Sequence, residues 1–199
     1  MAETPQINPL LLVGSEVARA GGGWWGMLAL IVTEASLFGY LLFTYYYLAS
    51  QTEQHWPPTG LPSLAMPGIN TLILLSSSGF VWASERCIRR GQTPWSLVSM
   101  ALAHALGVCF VVIQLKEWNK KTYDMTTDLY ASLYFTITGF HLLHVIIGLM
   151  ILMLLLLWIA LGYFDGERHA PVSIGGLYWH FVDAVWLLVF TTFYLVPYF

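Results

Sequence analysis

Charge is what this sequence has least of. Of its 199 residues, 10% are Asp, Glu, Lys or Arg, where a soluble domain carries about 25%. The net charge is −3, so there is no basic field to attract nucleic acid or anionic lipid. Only two cysteines occur, Cys87 and Cys109, too few for a disulfide scaffold, and no Cys-x-x-Cys-His haem attachment motif is present. A di-iron carboxylate bundle needs two Glu-x-x-His motifs, and the chain has none. There is no nucleotide loop, no nucleophile triad, no low-complexity tract and no clear internal repeat. Residues 1–23 lack a basic stretch ahead of the short run Leu10-Leu11-Leu12-Val13. A cleaved signal peptide is therefore not expected.

Apolar residues are abundant instead. They make up 57% of the chain, and aromatics 16%; the mean hydropathy is +0.66. That excludes a disordered chain and points to lipid as the solvent. The charges divide the sequence. Between Arg19 and Glu53 the only charged side chain is Glu34, and none occurs over 54–84, 91–115 or 129–164. After Arg168 only Asp183 remains. A helix crossing about 30 Å of hydrocarbon needs roughly 20 apolar residues. The pattern predicts an all-α, polytopic membrane protein with five transmembrane helices near 24–49, 66–88, 95–116, 128–161 and 174–197. Runs such as Leu149 to Leu157 show no two-residue alternation, which argues against a β-barrel. The expected organisation is an N-terminal cytoplasmic segment, 1–23, and one bundle domain, 24–199.

The basic residues set a direction. With the N-terminus in the cytoplasm, Arg19, Arg86, Arg89, Arg90 and Arg168 lie inside, and Lys116, Lys120 and Lys121 outside. The positive-inside rule favours this arrangement and puts the C-terminus on the outer side. The loop Trp56-Pro57-Pro58-Thr59-Gly60-Leu61-Pro62 reads as a rigid connector or as a docking surface.

A few polar groups interrupt the apolar spans. Glu34 falls near mid-membrane, where an ionised carboxylate is costly, so a neutral carboxyl is expected. It reads equally as a structural hydrogen-bonding group or as a proton-active one. His141 and His144 share a face of the fourth helix, and His180 and Asp183 a face of the fifth. Asp183 is placed to accept from His180 and hold one tautomer. With Glu34, these residues suggest a single polar seam, read mainly as a structural network, with proton handling or a metal or haem as alternatives. Ala35 and Gly39, Ala103 and Gly107, and the run Ser76 to Gly79 are candidates for close helix contacts.

Several motifs go further. They are Glu34-Ala35-Ser36-Leu37-Phe38, Trp56-Pro57-Pro58-Thr59-Gly60, Gln114-Leu115-Lys116-Glu117-Trp118, the stretch Thr138-Gly139-Phe140-His141-Leu142-Leu143-His144 through Gly148, and Tyr178-Trp179-His180-Phe181-Val182-Asp183-Ala184-Val185-Trp186. In this order and spacing the chain resembles subunit III of the haem–copper oxidases, the cytochrome c and quinol oxidase group, from about Trp24 onward.

The resemblance implies a subunit without a redox centre in an enzyme complex that reduces oxygen to water and pumps protons. In that family, haem and copper reside in partner subunits I and II, and cytochrome c donates the electrons. Subunit III stabilises subunit I, supports proton uptake and binds phospholipid. Glu34 matches the family's intramembrane glutamate. Seven-helix members carry two helices ahead of this segment; a five-helix form implies a bacterial plasma membrane. Those longer members also carry a basic residue at the inner end of the helix after His-x-x-His, where this sequence reads Trp158-Ile159-Ala160-Leu161. Their His pair after Trp-Ala is Ser84-Glu85 here, so their lipid ligands are not carried over. A quinol oxidase subunit or a nitric oxide reductase accessory subunit shares these motifs. A stand-alone transporter or haem-binding membrane protein is the rival from another class.

Overall fold

In a computed structural model, residues 9–52, 56–58, 60–165 and 168–198 are described, the side chains of 9–21 excepted. Five long helices form a bundle: α1 (Pro9–Gln51), α2 (Ala65–Arg89), α3 (Thr93–Lys120), α4 (Leu129–Ala160) and α5 (Ala170–Phe190). A π-helical turn, Thr191–Leu195, and a 3-10 turn, Val196–Tyr198, complete the described chain. Among the described residues there is no strand.

Each predicted span lies on one of these helices, but the helices mostly run longer. A helix can continue past the hydrocarbon once water solvates its side chains. Thus α1 begins at Pro9 rather than near 24, while its apolar part covers Gly22–Gln51. The expected cytoplasmic segment 1–23 therefore overlaps α1; residues 1–8 and the Arg19 side chain lie outside the described residues, as does Thr59 of the proline loop. Helix α3 reaches Lys120 through Lys116, Glu117 and Asn119. Helix α5 starts four residues early because Pro171 occupies its first turn, where a missing amide hydrogen costs nothing. It ends at Phe190, and the chain continues to Tyr198 in the π and 3-10 turns.

Local signals explain the other ends. Asp128 caps α4, its side chain accepting from the Ala131 amide at 2.7 Å. Gly91, at φ +71°, ends α2 and lets the chain turn directly into α3, a left-handed conformation that glycine adopts without a Cβ penalty.

Helices α2 and α3 pack as an antiparallel hairpin, α4 and α5 close the bundle, and α1 rests chiefly on α5 with a smaller contact to α4. Trp179 of α5 fills the centre, fully buried. A Cβ at Gly148 of α4 would lie 2.8 Å from its ring, and one at Gly107 of α3 also 2.8 Å. Ala103 is fully buried beside this contact zone. The other predicted small-residue contacts differ. Ala35, Gly39, Ser76 and Gly79 are exposed on this chain, and a Cβ at Gly39 or Gly79 would meet nothing within 4 Å.

Among the described residues, four helices, those carrying Gly22–Gln51, Thr93–Lys120, Leu129–Ala160 and Ala170–Tyr198, are long and apolar enough to cross a membrane. Helix α2 is less apolar, and four of its uncharged polar residues face inward. Asn70, Thr71, Ser77 and Ser84 are buried, while Ile69, Leu72, Leu75 and Trp82 are exposed.

Candidate functional site

The polar residues that α2 turns inward are the hydrogen-bond partners of the core. The Trp179 indole donates to Ser77 Oγ at 3.0 Å, and the Trp186 indole to Thr71 Oγ1 at 2.9 Å. The Asn70 amide donates to the Phe110 carbonyl at 3.3 Å. Ser84 Oγ donates to the Ser96 carbonyl at 2.9 Å. Without water, each buried indole or amide needs such a partner.

The predicted site residues do not form one seam. They fall into three separate places.

The first joins α1 to α4. Glu34 Oε2 lies 2.9 Å from His144 Nε2, and His144 Nδ1 lies 2.6 Å from the Phe140 carbonyl. A carbonyl only accepts, so Nδ1 carries a hydrogen. The Glu34–His144 contact then holds one shared proton, either on the carboxyl or on Nε2. Phe38 packs edge-on against His144 at 5.1 Å. The Glu34 side chain keeps 31% of its surface exposed, so the pair lies at the rim of the chain.

The second place is the core. His141 is buried, its Nε2 3.2 Å from the Val182 carbonyl of α5. Phe110 and Trp186 pack on its ring at 6.0 and 5.0 Å. It is a cross-helix contact and does not reach Glu34 through His144, although i, i+3 spacing places both imidazoles on adjoining faces.

The third lies between α2 and α5. His180 Nδ1 is 2.6 Å from Ser78 Oγ. Asp183 is buried; the Ser78 hydroxyl is the side chain that acts on its carboxyl, although neither oxygen has a partner at full hydrogen-bond geometry among the described residues. The expected Asp183–His180 bond is therefore replaced by Ser78–His180. The spacing puts both residues on one side of α5, yet the imidazole points across to α2. Among the described residues no cluster of three or more His, Cys, Asp or Glu side chains is placed to hold a metal ion.

One polar cluster was not predicted. Near the end of α3, Glu117 Oε1 accepts from Tyr194 at 2.6 Å and from Tyr134 at 3.4 Å. The two phenols are 2.9 Å apart. Lys121 Nζ lies 3.4 Å from Glu117 and 4.9 Å from the Tyr134 ring centre. This ties α3, α4 and the π-helical turn together. The i, i+4 spacing of Glu117 and Lys121 was its visible sequence signal; the tyrosine partners come from distant segments. In the proline loop, Trp56 packs on Tyr45 at 5.8 Å and Tyr130 at 5.4 Å.

Comparison with known proteins agrees with the motifs. The family model for cytochrome c oxidase subunit III matches residues 14–198. The chain is 35% identical to cytochrome c oxidase subunit 3 of Thermostichus vulcanus over 178 residues, 86% of each chain. It is 35% identical to the Synechocystis subunit 3 over 176 residues, 86% of this chain and 75% of that one. Against the subunit 3 of Danio rerio it is 34% identical over 177 residues, 85% of this chain and 68% of that one. The chain belongs to the cytochrome c oxidase subunit III family and is a subunit of a haem–copper oxidase.

Proposed function

We propose that this chain serves the oxidase as a non-redox subunit that braces the catalytic subunit I and supports proton uptake. Its partners are then subunits I and II, which hold the haem and copper, with cytochrome c as the electron donor. Phospholipid fills the remaining lipid-facing contacts, and the enzyme resides in a bacterial plasma membrane. The observation that carries this reading is the Glu34–His144 pair. A shared proton held at the rim of an apolar helix is poorly suited to hydrocarbon, where ionisable groups face protein or a water-filled cavity. A polar neighbour on the α1 side, such as subunit I, satisfies that need.

The reading takes α2 as a fifth span. Its 25 residues reach about 37 Å at 1.5 Å per residue, it runs against α3, and its outward face is apolar. Arg86, Arg89 and Arg90 at its end support a cytoplasmic N-terminus, with the Lys120 end of α3 outside. Glu34, His141, His144, His180 and Asp183 act in it as polar contacts between helices, with Glu34 the proton-related group.

Three measurements test this. A mild-detergent pull-down from native membranes, read by a reduced-minus-oxidised spectrum, is expected to recover an a-type haem and a catalytic subunit; a chain that crosslinks to no such subunit in the membrane sinks the reading. Replacing Glu34→Gln in the complex is expected to shorten the number of turnovers before inactivation. Unchanged oxygen reduction, proton pumping and turnover lifetime would remove Glu34 from proton uptake. A cytochrome c against quinol assay decides the donor.

A further inference from the structure

The Glu117 carboxylate and the two phenols that share it have no part in the oxidase reading. Tyr194 donates to Glu117 Oε1 at 2.6 Å. Tyr134, its hydroxyl 2.9 Å from that of Tyr194, reaches the same oxygen at 3.4 Å. All three side chains are buried. Glu117 Oε2 has no partner among the described residues, so the carboxylate keeps a free acceptor. Tyrosines of a membrane boundary ordinarily sit among the headgroups, with the hydroxyl in reach of water; these two are enclosed. Lys121 Nζ lies 3.4 Å from Glu117 and 4.9 and 5.7 Å from the Tyr134 and Tyr194 ring centres.

That arrangement favours one kind of chemistry. A phenol bonded to a carboxylate can give up an electron and a proton together. The ammonium over the rings is attracted by their neutral faces, and the same charge makes a phenol radical cation costly. The electron therefore leaves only with the proton. The Tyr194 O–H bond breaks, the proton passes to Glu117, and the electron passes to the oxidant. A neutral tyrosyl radical remains, its oxygen accepting from the Tyr134 hydroxyl. One returned electron and the same proton restore the phenol.

The pair also ends a file of oxidisable rings. Between ring centres, Tyr46 of α1 is 5.3 Å from Tyr45, and Tyr45 is 6.3 Å from Tyr130. Tyr130 is 6.4 Å from Tyr123, and Tyr123 is 6.1 Å from Tyr134. Tyr46 is exposed on α1, the helix against which the proposed function seats subunit I. Tyr123 lines a cleft of about 190 Å³ with Pro62 and Lys120 at the outer end of the bundle. The file thus runs from the α1 surface to the outer boundary. We infer that Tyr134 and Tyr194 form a redox-active tyrosine site, with Glu117 as proton acceptor, that takes up oxidising equivalents escaping from oxygen reduction in subunit I. The oxidant is a one-electron oxidant derived from partly reduced oxygen, and the reductant a soluble one-electron donor at the outer cleft. The site acts beside turnover, in which this chain carries no electrons. The path through α1 rests on the reading that subunit I packs there; the tyrosine pair does not.

The test uses the detergent-purified oxidase complex. A light flash generates tris(bipyridine)ruthenium(III), a soluble one-electron oxidant, and the sample is frozen for electron paramagnetic resonance. A tyrosyl signal is expected that narrows when the complex is grown on ring-deuterated tyrosine. It should be lost in Tyr134→Phe/Tyr194→Phe, which keeps both rings and removes both hydroxyls, while oxygen consumption stays unchanged. Glu117→Gln, which takes no proton, is expected to slow radical formation by about a hundredfold. A full signal in the double variant overturns the site. An unchanged rate in Glu117→Gln overturns the proton acceptor, because a purely structural carboxylate would leave the rate alone. Should Glu117→Gln fail to assemble, the wild-type rate in heavy water decides: a rate equal to that in light water overturns the coupled proton transfer. Hydrogen peroxide added to the complex is the second oxidant. The same signal is expected, and it should be lost in Tyr130→Phe, which takes one phenol out of the file; a retained signal overturns the ring path. A radical formed with ruthenium(III) and not with peroxide overturns the supply from subunit I through α1 and leaves the tyrosine pair standing. Absence of this chain from the purified complex is a failure of the oxidase reading, and the ruthenium(III) flash on the chain in nanodiscs then decides the tyrosine pair.

Discussion

At the scale of single residues, the described loop between α3 and α4 holds the clearest cases. Asp128 accepts from the Ala131 amide, meeting one of the donors that a helix start leaves orphaned. Asp128→Ala is expected to cost about 1 kcal/mol, read as a lower denaturation midpoint of the complex. A few residues earlier, Asp124 Oδ1 accepts from the Thr126 hydroxyl at 2.7 Å, the Thr126 amide at 2.9 Å and the Thr127 hydroxyl at 3.1 Å. These bonds, the Thr126 hydroxyl first, hold the carboxyl below its ordinary value. A carboxyl depressed in the fold favours the fold above its unfolded pKa, about 3.9, and that contribution disappears as pH falls through the depressed value. Protection of the Thr126 amide against hydrogen exchange is therefore expected to be complete at pH 6 and to decline below pH ~4. Asp124→Ala should remove it at either pH. Protection that survives in the variant would assign the turn to the backbone alone.

At the scale of helices, the contact that organises the bundle is Trp179 between Gly107 and Gly148. A Cβ added at Gly148 lies within 2.9 Å of two Trp179 ring atoms, and the tryptophan is fully buried. Gly148→Val is expected to destabilise the assembled subunit by about 1–3 kcal/mol, measured as loss of this chain from the complex at lower detergent or temperature stress. In the isolated chain Gly148→Val is expected to lower the thermal midpoint while Gly39→Val, on the exposed side of α1, leaves it unchanged; an equal fall for both would mean that Trp179 packing is not the limiting contact.

The same helices show what could be read in advance. All five helices were legible, four of them long and apolar enough to cross a membrane, because long stretches with at most one charge leave few other folds. Their ends were less so, since α1 and α3 continue as helix past the apolar run. Small residues were ambiguous for a physical reason: glycine marks close approach without saying to what. Gly107 and Gly148 meet Trp179, whereas a Cβ at Gly39 would meet nothing within 4 Å among the described residues. The polar residues were legible as a set but not as pairs. Periodicity gives the face of one helix, while the partner of His180 depended on the rotation of α2, which put Ser78 there. Glu117, Tyr134 and Tyr194 converge from three segments, a meeting that no local spacing announces.

At the scale of the whole molecule, the helices are unequally held. Helices α2 to α5 share the buried core, including Leu74, Val81, Met100, Phe110, Leu152 and Trp186. Among its described residues, helix α1 contributes Phe38 and Tyr45 to the buried set, with one hydrogen bond to another helix from its outer half, Tyr46 to Thr192 at 3.0 Å, and the Glu34–His144 pair at its middle. Its remaining surface exposes Val32, Tyr40, Phe43 and Tyr47. Lipid is as apolar as these side chains, so burial alone does not press α1 onto the bundle; packing and interhelical hydrogen bonds must do so. Two such bonds among the described residues, each about 1 kcal/mol, leave the membrane-crossing part of α1 the most dependent on a neighbour. In the chain reconstituted alone, α1 amides are expected to exchange at least tenfold faster than those of α4. In the oxidase complex the difference should close, because a partner packed on α1 stabilises the state it binds. Glu34→Leu, which removes the bond to His144, should widen the gap in the isolated chain and leave α4 unchanged. Equal protection of α1 with and without the other subunits would mean that the four-helix core holds it unaided, and that its exposed aromatic face meets lipid and not protein.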